Sequence, residues 1–406
     1  MSHFFAPLAG LVMFALGSGY LMTLVPLRIS HLEYSNMFSG LIGSAYYLGL
    51  FAGSFRSEKL VSRVGFIRSF SGFMAILCCS VLLMAVFTDI YSWILLRFIN
   101  GVTVAGIFVA LESWLLRESD SKNRGRILSF YMVSLYGAHA LGQLFVGILD
   151  SDTLLPFIVI GALLSLSIFP PATTRSPTPE LSEKPSALHL KALFSLTPSG
   201  ATGCFAGGLV LGALYAILPI YLLRTYTDNT DISILLSITM AGGMILQYPI
   251  GHLSDFFDRR KVLIAVSLAG VACCLAYMLI ENNFWLQLVI LFFIGGATFT
   301  LYPLSISHGC DHMLPEDIVA GTQGLLLFYS VGACLGPLLG SLLTRLMADG
   351  LMLFFVLVMG GLACFFMWRL FDRPAIYSSD EQPFIAMPRT TAVVAQLDPR
   401  SEAEET

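Results

Sequence analysis

Apolar positions in this chain neither alternate nor recur at a single helix-face spacing; they run on continuously for about 20 residues at a time, the length that crosses a hydrocarbon core as a helix. Such runs occupy residues 6 to 27, 37 to 55, 67 to 88, 91 to 116, 125 to 149 and 154 to 171, then 200 to 223, 232 to 253, 261 to 280, 284 to 308, 317 to 343 and 350 to 370. A backbone inside lipid must satisfy its own hydrogen bonds, so the pattern predicts an all-α integral membrane protein of twelve transmembrane helices. The helices fall into two sets of six. Gly19, Pro26, Gly49, Ser62 and Gly65 recur 193 positions later as Gly212, Pro219, Gly242, Asp255 and Asp258. Cys78 and Cys79 return as Cys273 and Cys274, Gly101 as Gly296, and Gly142 as Gly336. Tandem halves in a membrane protein point to a transporter that closes around a site between its repeats.

The polar stretches divide the chain further. The segment between the sets, from Pro170 to Pro198, is rich in Ser, Thr and Pro and reads as a flexible linker. The expected organisation is a bundle over 1–171, a cytoplasmic linker over 172–198, a second bundle over 199–371 and a disordered cytoplasmic tail over 372–406. The first run has no Lys or Arg before it and no small-residue cleavage site after it, so it is expected to remain as a helix. Eighteen Lys and Arg fall on the side of the even-numbered loops and tail, against Arg28, Arg224 and Arg345 on the other. Cytoplasmic loops hold the excess, which places both termini in the cytoplasm.

Composition removes other classes. The chain is 56% hydrophobic and 12% charged, with a mean hydropathy of +0.79, whereas soluble domains are about 25% charged. With a net charge of -4 and basic residues scattered along the chain, nucleic acid is a poor partner. The eight cysteines fall in or beside apolar runs and read as small buried side chains, leaving the redox compartment undetermined. No phosphate-cradling Gly-rich loop with a Lys is present, which disfavours ATP-driven transport. No cofactor or resident metal is expected.

The strongest local motif follows the eighth run: Pro249, Gly251, His252, Asp255, then Asp258, Arg259, Arg260 and Lys261. Its plain reading is basic anchoring at an anionic membrane face. At this spacing it also resembles the signature loop between the second and third helices of each half in the major facilitator superfamily. The first-half copy fits at Lys59, Leu60, Arg63, Gly65 and Arg68, but has Glu58 where glycine is usual and Ser62 where aspartate is usual. Arg97, Asn100, Gly101 and Gly106 resemble the fourth-helix arginine motif, and Asn123 to Arg126 the Arg-Gly-Arg loop after it. Gly332, Gly336, Pro337 and Gly340 resemble the glycine-proline motif that antiporters carry on the fifth helix. Here the fifth run has Gly137, Gly142 and Gly147, with Gln143 in place of the proline. Thr23 to Leu27, Ala110 to Ser113, Leu141 to Gln143 and Phe299 to Pro303 look like the YcaD-type branch of bacterial inner-membrane facilitators. The resemblance spans about residues 6 to 370 and implies the fold, a cytoplasmic gate of Arg63, Gly65, Arg68, Glu112, Arg124, Arg126, Gly251, Asp255, Arg259 and Arg260, and close helix packing at Gly332, Gly336, Pro337 and Gly340. It implies no particular cargo.

Arg97 carries the most weight, because an arginine within a span costs about 2.5 to 3.5 kcal/mol. It either snorkels to the outer interface or faces a central cavity. Glu112 lies about 22 Å further along the same helix and cannot pair with it. Its neighbours in sequence are Arg117, Arg124 and Arg126, which favours an ion-paired gate over a proton carrier. Asn100 is a candidate for the cavity with Arg97, and His139, Gln143, Gln247 and Gln323 either line a polar cavity or bond between helices. Tyr215, Tyr302 and Tyr329, with Tyr46, Tyr47, Tyr131 and Tyr136, are candidates for an amphipathic lining. His308, Asp311 and His312 have a spacing that binds metal on one helix face, and also read as a polar helix end.

The expectation is a monomeric secondary active transporter of the inner membrane. It moves a small amphipathic or weakly anionic metabolite or drug by alternating access, with protons as a candidate partner. The readings from other classes are a membrane enzyme or metal-binding protein using His308, Asp311 and His312, and a sensor that uses the tail.

Overall fold

A computed structural model describes residues 2–32, 34–119, 124–174, 193–194, 196–280, 283–311, 313, 317–372, 384–385 and 387–398. The twelve long helices are α1 (Ser2–His31), α2 (Asn36–Val64), α3 (Phe66–Val86), α4 (Ile90–Glu118), α5 (Arg124–Leu144), α6 (Leu155–Leu166), α7 (Pro198–Leu222), α8 (Asn229–Leu253), α9 (Arg259–Leu279), α10 (Phe284–Cys310), α11 (Ile318–Leu346) and α12 (Gly350–Asp372). The fifth apolar run ends in a 3-10 turn over Phe145–Gly147, and the sixth continues past α6 into a short helix, Phe169–Ala172. Among the described residues, ten spans are long and apolar enough to cross a membrane, one of them running on from α6 to Ala172. The other two helices, α2 and α5, carry more Gly, Ser and Tyr.

Polar residues in the connections start the helices. Ser35, Asp89, Thr197, Asp228, Asp258 and Asn283 each accept a hydrogen bond from a backbone N–H in the first turn that follows. Between α2 and α3 the turn is one residue, Gly65, at φ +99°, a conformation that a side chain would strain.

The first six helices pack chiefly on one another and so do the last six, with the same partners: α2 on α4 and α8 on α10, α1 on α5 and α7 on α11, α3 on α6 and α9 on α12. Glycines set these approaches. A Cβ on Gly49 would meet the carbonyl of Phe98 at 2.1 Å, and one on Gly242 that of Phe292 at 1.9 Å. On the facing helices, Gly101 meets Tyr46 O at 2.0 Å and Gly295 meets Thr239 O at 1.9 Å. The counterpart of Gly101 is therefore Gly295. Gly296 instead faces the side chain of Leu246.

The two groups meet where α2 packs on α11, α5 on α8, and α7 on both α1 and α2. On the face distal to the termini the seam is stitched by short bonds. Asn229 donates to Ser151 Oγ at 3.2 Å, Thr230 to Gly147 O at 3.3 Å, Ser237 to Ala140 O at 2.9 Å, and Ser44 to Cys334 O at 2.6 Å. Outward-facing positions are apolar and exposed, among them Leu279 at 83% and Phe371 at 91%, as lipid contact requires.

The linker expected over 172–198 lies mostly outside the described residues. The tail does not follow the expectation of disorder throughout: Met387 to Thr391 are buried, and a 3-10 helix follows at Ala392–Leu397, packed on α11, α4 and α5.

Candidate functional site

A cavity of about 80 Å³ lies between the two groups of helices. Ser18 and Met22 of α1, Tyr46 and Tyr47 of α2, Tyr136 and His139 of α5, Tyr215 of α7 and Tyr329 of α11 form its wall, and Arg389 and Thr390 of the C-terminal segment close it. A second, tight compartment of about 10 Å³ shares Met22, Tyr46, Tyr47 and Tyr215 with it and adds Arg97. The lining is aromatic with few polar groups, the usual character of a small-molecule site.

Arg97 is 4% exposed, and its guanidinium stacks 4.5 Å from the ring centroid of Tyr46. Its Nη2 donates to Met22 Sδ at 3.3 Å, and its Nε has no hydrogen-bond partner. Among the described residues no carboxylate pairs with it. The side chain thus turns inward to the cavity and does not reach a lipid headgroup. Asn100 points mostly the other way: it accepts from Ser80 and reaches Met84, tying α4 to α3, while also bordering a small compartment beside Arg97.

Of the remaining predicted lining residues, His139, Tyr215 and Tyr329 are brought together at the main cavity. Gln143 borders an adjoining compartment with Tyr215, its Oε1 buried without a partner. Tyr302 lies behind the wall, its ring centroid 4.7 Å from that of Tyr329. Gln247 and Gln323 line none of these compartments; Gln247 is buried and Gln323 half-buried elsewhere on α8 and α11.

Glu112 departs from the ion-paired gate. It is fully buried, and its carboxylate accepts from the Tyr131 hydroxyl at 2.6 Å and from the hydroxyls of Thr390 and Thr391. Among the described residues no guanidinium pairs with it. Arg126 is exposed, its guanidinium 5.6 Å from the Phe130 ring, and Arg124 is half-buried at the start of α5. Arg63 and Arg68 are exposed on either side of Gly65. In the second half the corresponding turn is tied down by two buried arginines that follow it. Arg259, 1% exposed, bridges Asp311 at 2.5 Å and Asp255 at 3.4 Å, joining α8, α9 and α10. Arg260 pairs with Asp258 at 2.9 Å. Burial pushes the Asp258 carboxyl up, but its bonds to Arg260 and that charge outweigh it and hold the group below the usual range. Asp311 is thereby engaged with Arg259; His312 lies outside the described residues, as does Asn123.

The C-terminal segment completes this arrangement. Phe384 donates its N–H to Asp255 at 2.7 Å, and its ring fills the space that Gly251 leaves open. The stripe Gly332, Gly336, Gly340 lets α11 lie against the backbone of α7, with Pro337 facing Gly212 from the same helix and Gly40 and Gly43 across the seam. Sequence reasoning missed Phe384, Arg389, Thr390, Thr391 and Phe299 as site residues. The apolar Ala392 to Ala395, inside an otherwise polar tail, was the available signal.

A family model described as Major Facilitator Superfamily matches residues 8–227 and 200–395. The chain belongs to that superfamily. It is 31% identical over 350 residues to an uncharacterized MFS-type transporter YcaD of Escherichia fergusonii, covering 85% of this chain and 90% of the relative. It is 30% identical over 384 residues to an uncharacterized MFS-type transporter of Yersinia pestis, covering 90% and 94%. In fold it is similar to a bacterial homolog of the human lysosomal transporter Spinster, with a TM-score of 0.75 at 15% identity, covering 92% and 98%. The nucleoside transporter NupG gives 0.72 at 14% identity, covering 89% and 98%. As a superfamily member the protein is a multi-span membrane transporter, with a small-molecule substrate and a membrane environment.

Proposed function

We propose that this superfamily member is a secondary active transporter that moves a small amphipathic solute through the seam between two six-helix repeats, residues 1–171 and 199–371, by alternating access. Both termini lie in the cytoplasm, the membrane is the inner membrane, and the protein acts as a monomer. The observation that carries the reading is the aromatic cavity at the seam, lined from both halves, with Arg97 in the compartment adjoining it and without a counter-ion among the described residues. An unpaired buried guanidinium is costly and is retained where a ligand supplies the opposite charge. A solute's anionic part, where it has one, would sit there.

We further propose that Glu112 carries the coupled proton. Among the described residues it is the one buried acid on a spanning helix, and hydroxyls, not a fixed cation, hold it. Purified protein in vesicles enclosing a pH dye, exposed to a panel of amphipathic solutes, tests both statements. At least one solute should drive a luminal pH change with the wild type and not with Arg97→Gln, and Glu112→Gln should exchange that solute at equal concentrations without a pH change. A full panel that moves no solute contradicts transport through this cavity; a pH change that survives in Glu112→Gln contradicts the coupling role.

A further inference from the structure

Arg389 is a charge held by rings. Its guanidinium lies 4.6 Å from the Phe299 centroid and 5.5 Å from that of Tyr136, and its Nη2 donates to the Tyr136 hydroxyl at 2.9 Å. Its Nη1 is buried without a partner. Tyr136 and Tyr215 each meet Phe299 edge to face, with centroids 5.7 and 6.1 Å apart. These three rings come from α5, α10 and α7, so the box is assembled from both halves and exists only at the seam. The next two residues of the segment place their hydroxyls on the two oxygens of Glu112. If the segment left, the box would be empty and Glu112 would keep Tyr131 alone, so a vacant cation seat and a carboxylate short of partners would lie near each other.

We propose that this box is the seat for the cationic group of an organic cation cargo, and that the C-terminal segment is a tethered competitor occupying it. The proposal rests on the transporter reading. Aromatic faces attract a cation that has shed its water, and they do so for alkylammonium or phosphonium as well as for guanidinium. A neutral group gains only packing from the same rings, and an anionic one meets their negative faces. The tether keeps the local concentration of Arg389 in the millimolar range by order of magnitude, which lowers the fraction of molecules with an empty seat and weakens the apparent affinity of a free cation in proportion.

Calorimetric binding to the full-length purified chain tests this, with tetraphenylphosphonium as the probe and tetraphenylborate as its anionic match in shape. Arg389→Gln should bind the phosphonium about tenfold tighter than wild type, and Arg389→Lys, which keeps the charge, should bind as wild type does. Adding Phe299→Leu to Arg389→Gln should abolish the gain, since volume stays and the ring goes. Tetraphenylborate should gain nothing. Equal phosphonium affinity in wild type and Arg389→Gln, with both eluting as folded protein, overturns the proposal. An equal gain for tetraphenylborate also overturns it, because the segment would then be excluding volume only. Binding is read without transport, so vesicles that move no solute would remove the transporter reading and leave this result standing.

Discussion

Gly336 of α11 lies directly against the carbonyl of Leu209 of α7: a Cβ placed on it would come within 2.1 Å of that oxygen. Gly142 of α5 meets Leu16 of α1 in the same way, at 2.2 Å. Both contacts involve backbone, which cannot swing aside as a side chain would. Gly336→Ala and Gly142→Ala should each destabilise the detergent-solubilised protein by about 1 to 3 kcal/mol. Gly361→Ala, where nothing lies within 4 Å, should leave thermal unfolding unchanged. Equal melting of all three would mean that these helices do not approach so closely.

Those glycine contacts are legible in the amino-acid sequence, because a glycine that recurs at a fixed offset marks a backbone approach recurring in both halves. The offset is 193 at Gly49 and 194 at Gly101, so the helix packing pairs Gly101 with Gly295, whereas the offset of 195 that relates Cys78 to Cys273 leads to Gly296. Arg97 is legible for a different reason: a charge inside an apolar run is conspicuous, and the alternatives for it are few. The partners of Glu112 are not legible. Residues near it in sequence are arginines, while the groups that bond it, Thr390 and Thr391, are 278 and 279 positions away in a segment with no helical period. Gln247 and Gln323 escape placement because a polar residue on a buried helix looks the same from sequence whether it faces a cavity or a neighbouring helix.

The C-terminal segment is fastened at two places, and Asp255 is one of them. Its carboxylate accepts from Phe384 N at 2.7 Å and bonds Arg259. Asp255→Ala should loosen the segment and speed trypsin cleavage after Arg389, which is 8% exposed in the bound arrangement. An unchanged cleavage rate in Asp255→Ala, with the product identified by mass spectrometry, would mean that Asp255 does not hold the segment in place.

The same turn sets a pH dependence through Asp258. Its lowered carboxyl contributes stability that is present above the pKa of the unfolded chain and is lost as pH falls through the lowered folded value. Melting temperature should therefore drop in acid below the ordinary carboxylate range, and Asp258→Asn should flatten that drop, its amide being uncharged throughout. Parallel pH profiles for the two proteins would contradict the assignment.

Arg97→Gln removes a buried charge that has no carboxylate partner among the described residues, so it should not lower thermal stability and, by removing a desolvation cost, should raise it slightly. Arg97→Lys should retain a cation but lose the stacking of the planar group on Tyr46. A marked fall in stability for Arg97→Gln would make Arg97 a structural residue of the bundle.

Alternating access requires the two halves to part on one face as they close on the other, and the distal seam, where Asn229 of α8 bonds Ser151 beside α6, is the place to measure it. Spin labels at Ser151→Cys and Asn229→Cys, on a background with the native cysteines replaced and the protein in lipid nanodiscs, report the separation across that seam. The account predicts two distance populations, a short one matching the bonded arrangement and a longer one that grows when Ser237 and Thr230 are replaced by alanine to cut the other seam bonds. A single short distance in both proteins would contradict it.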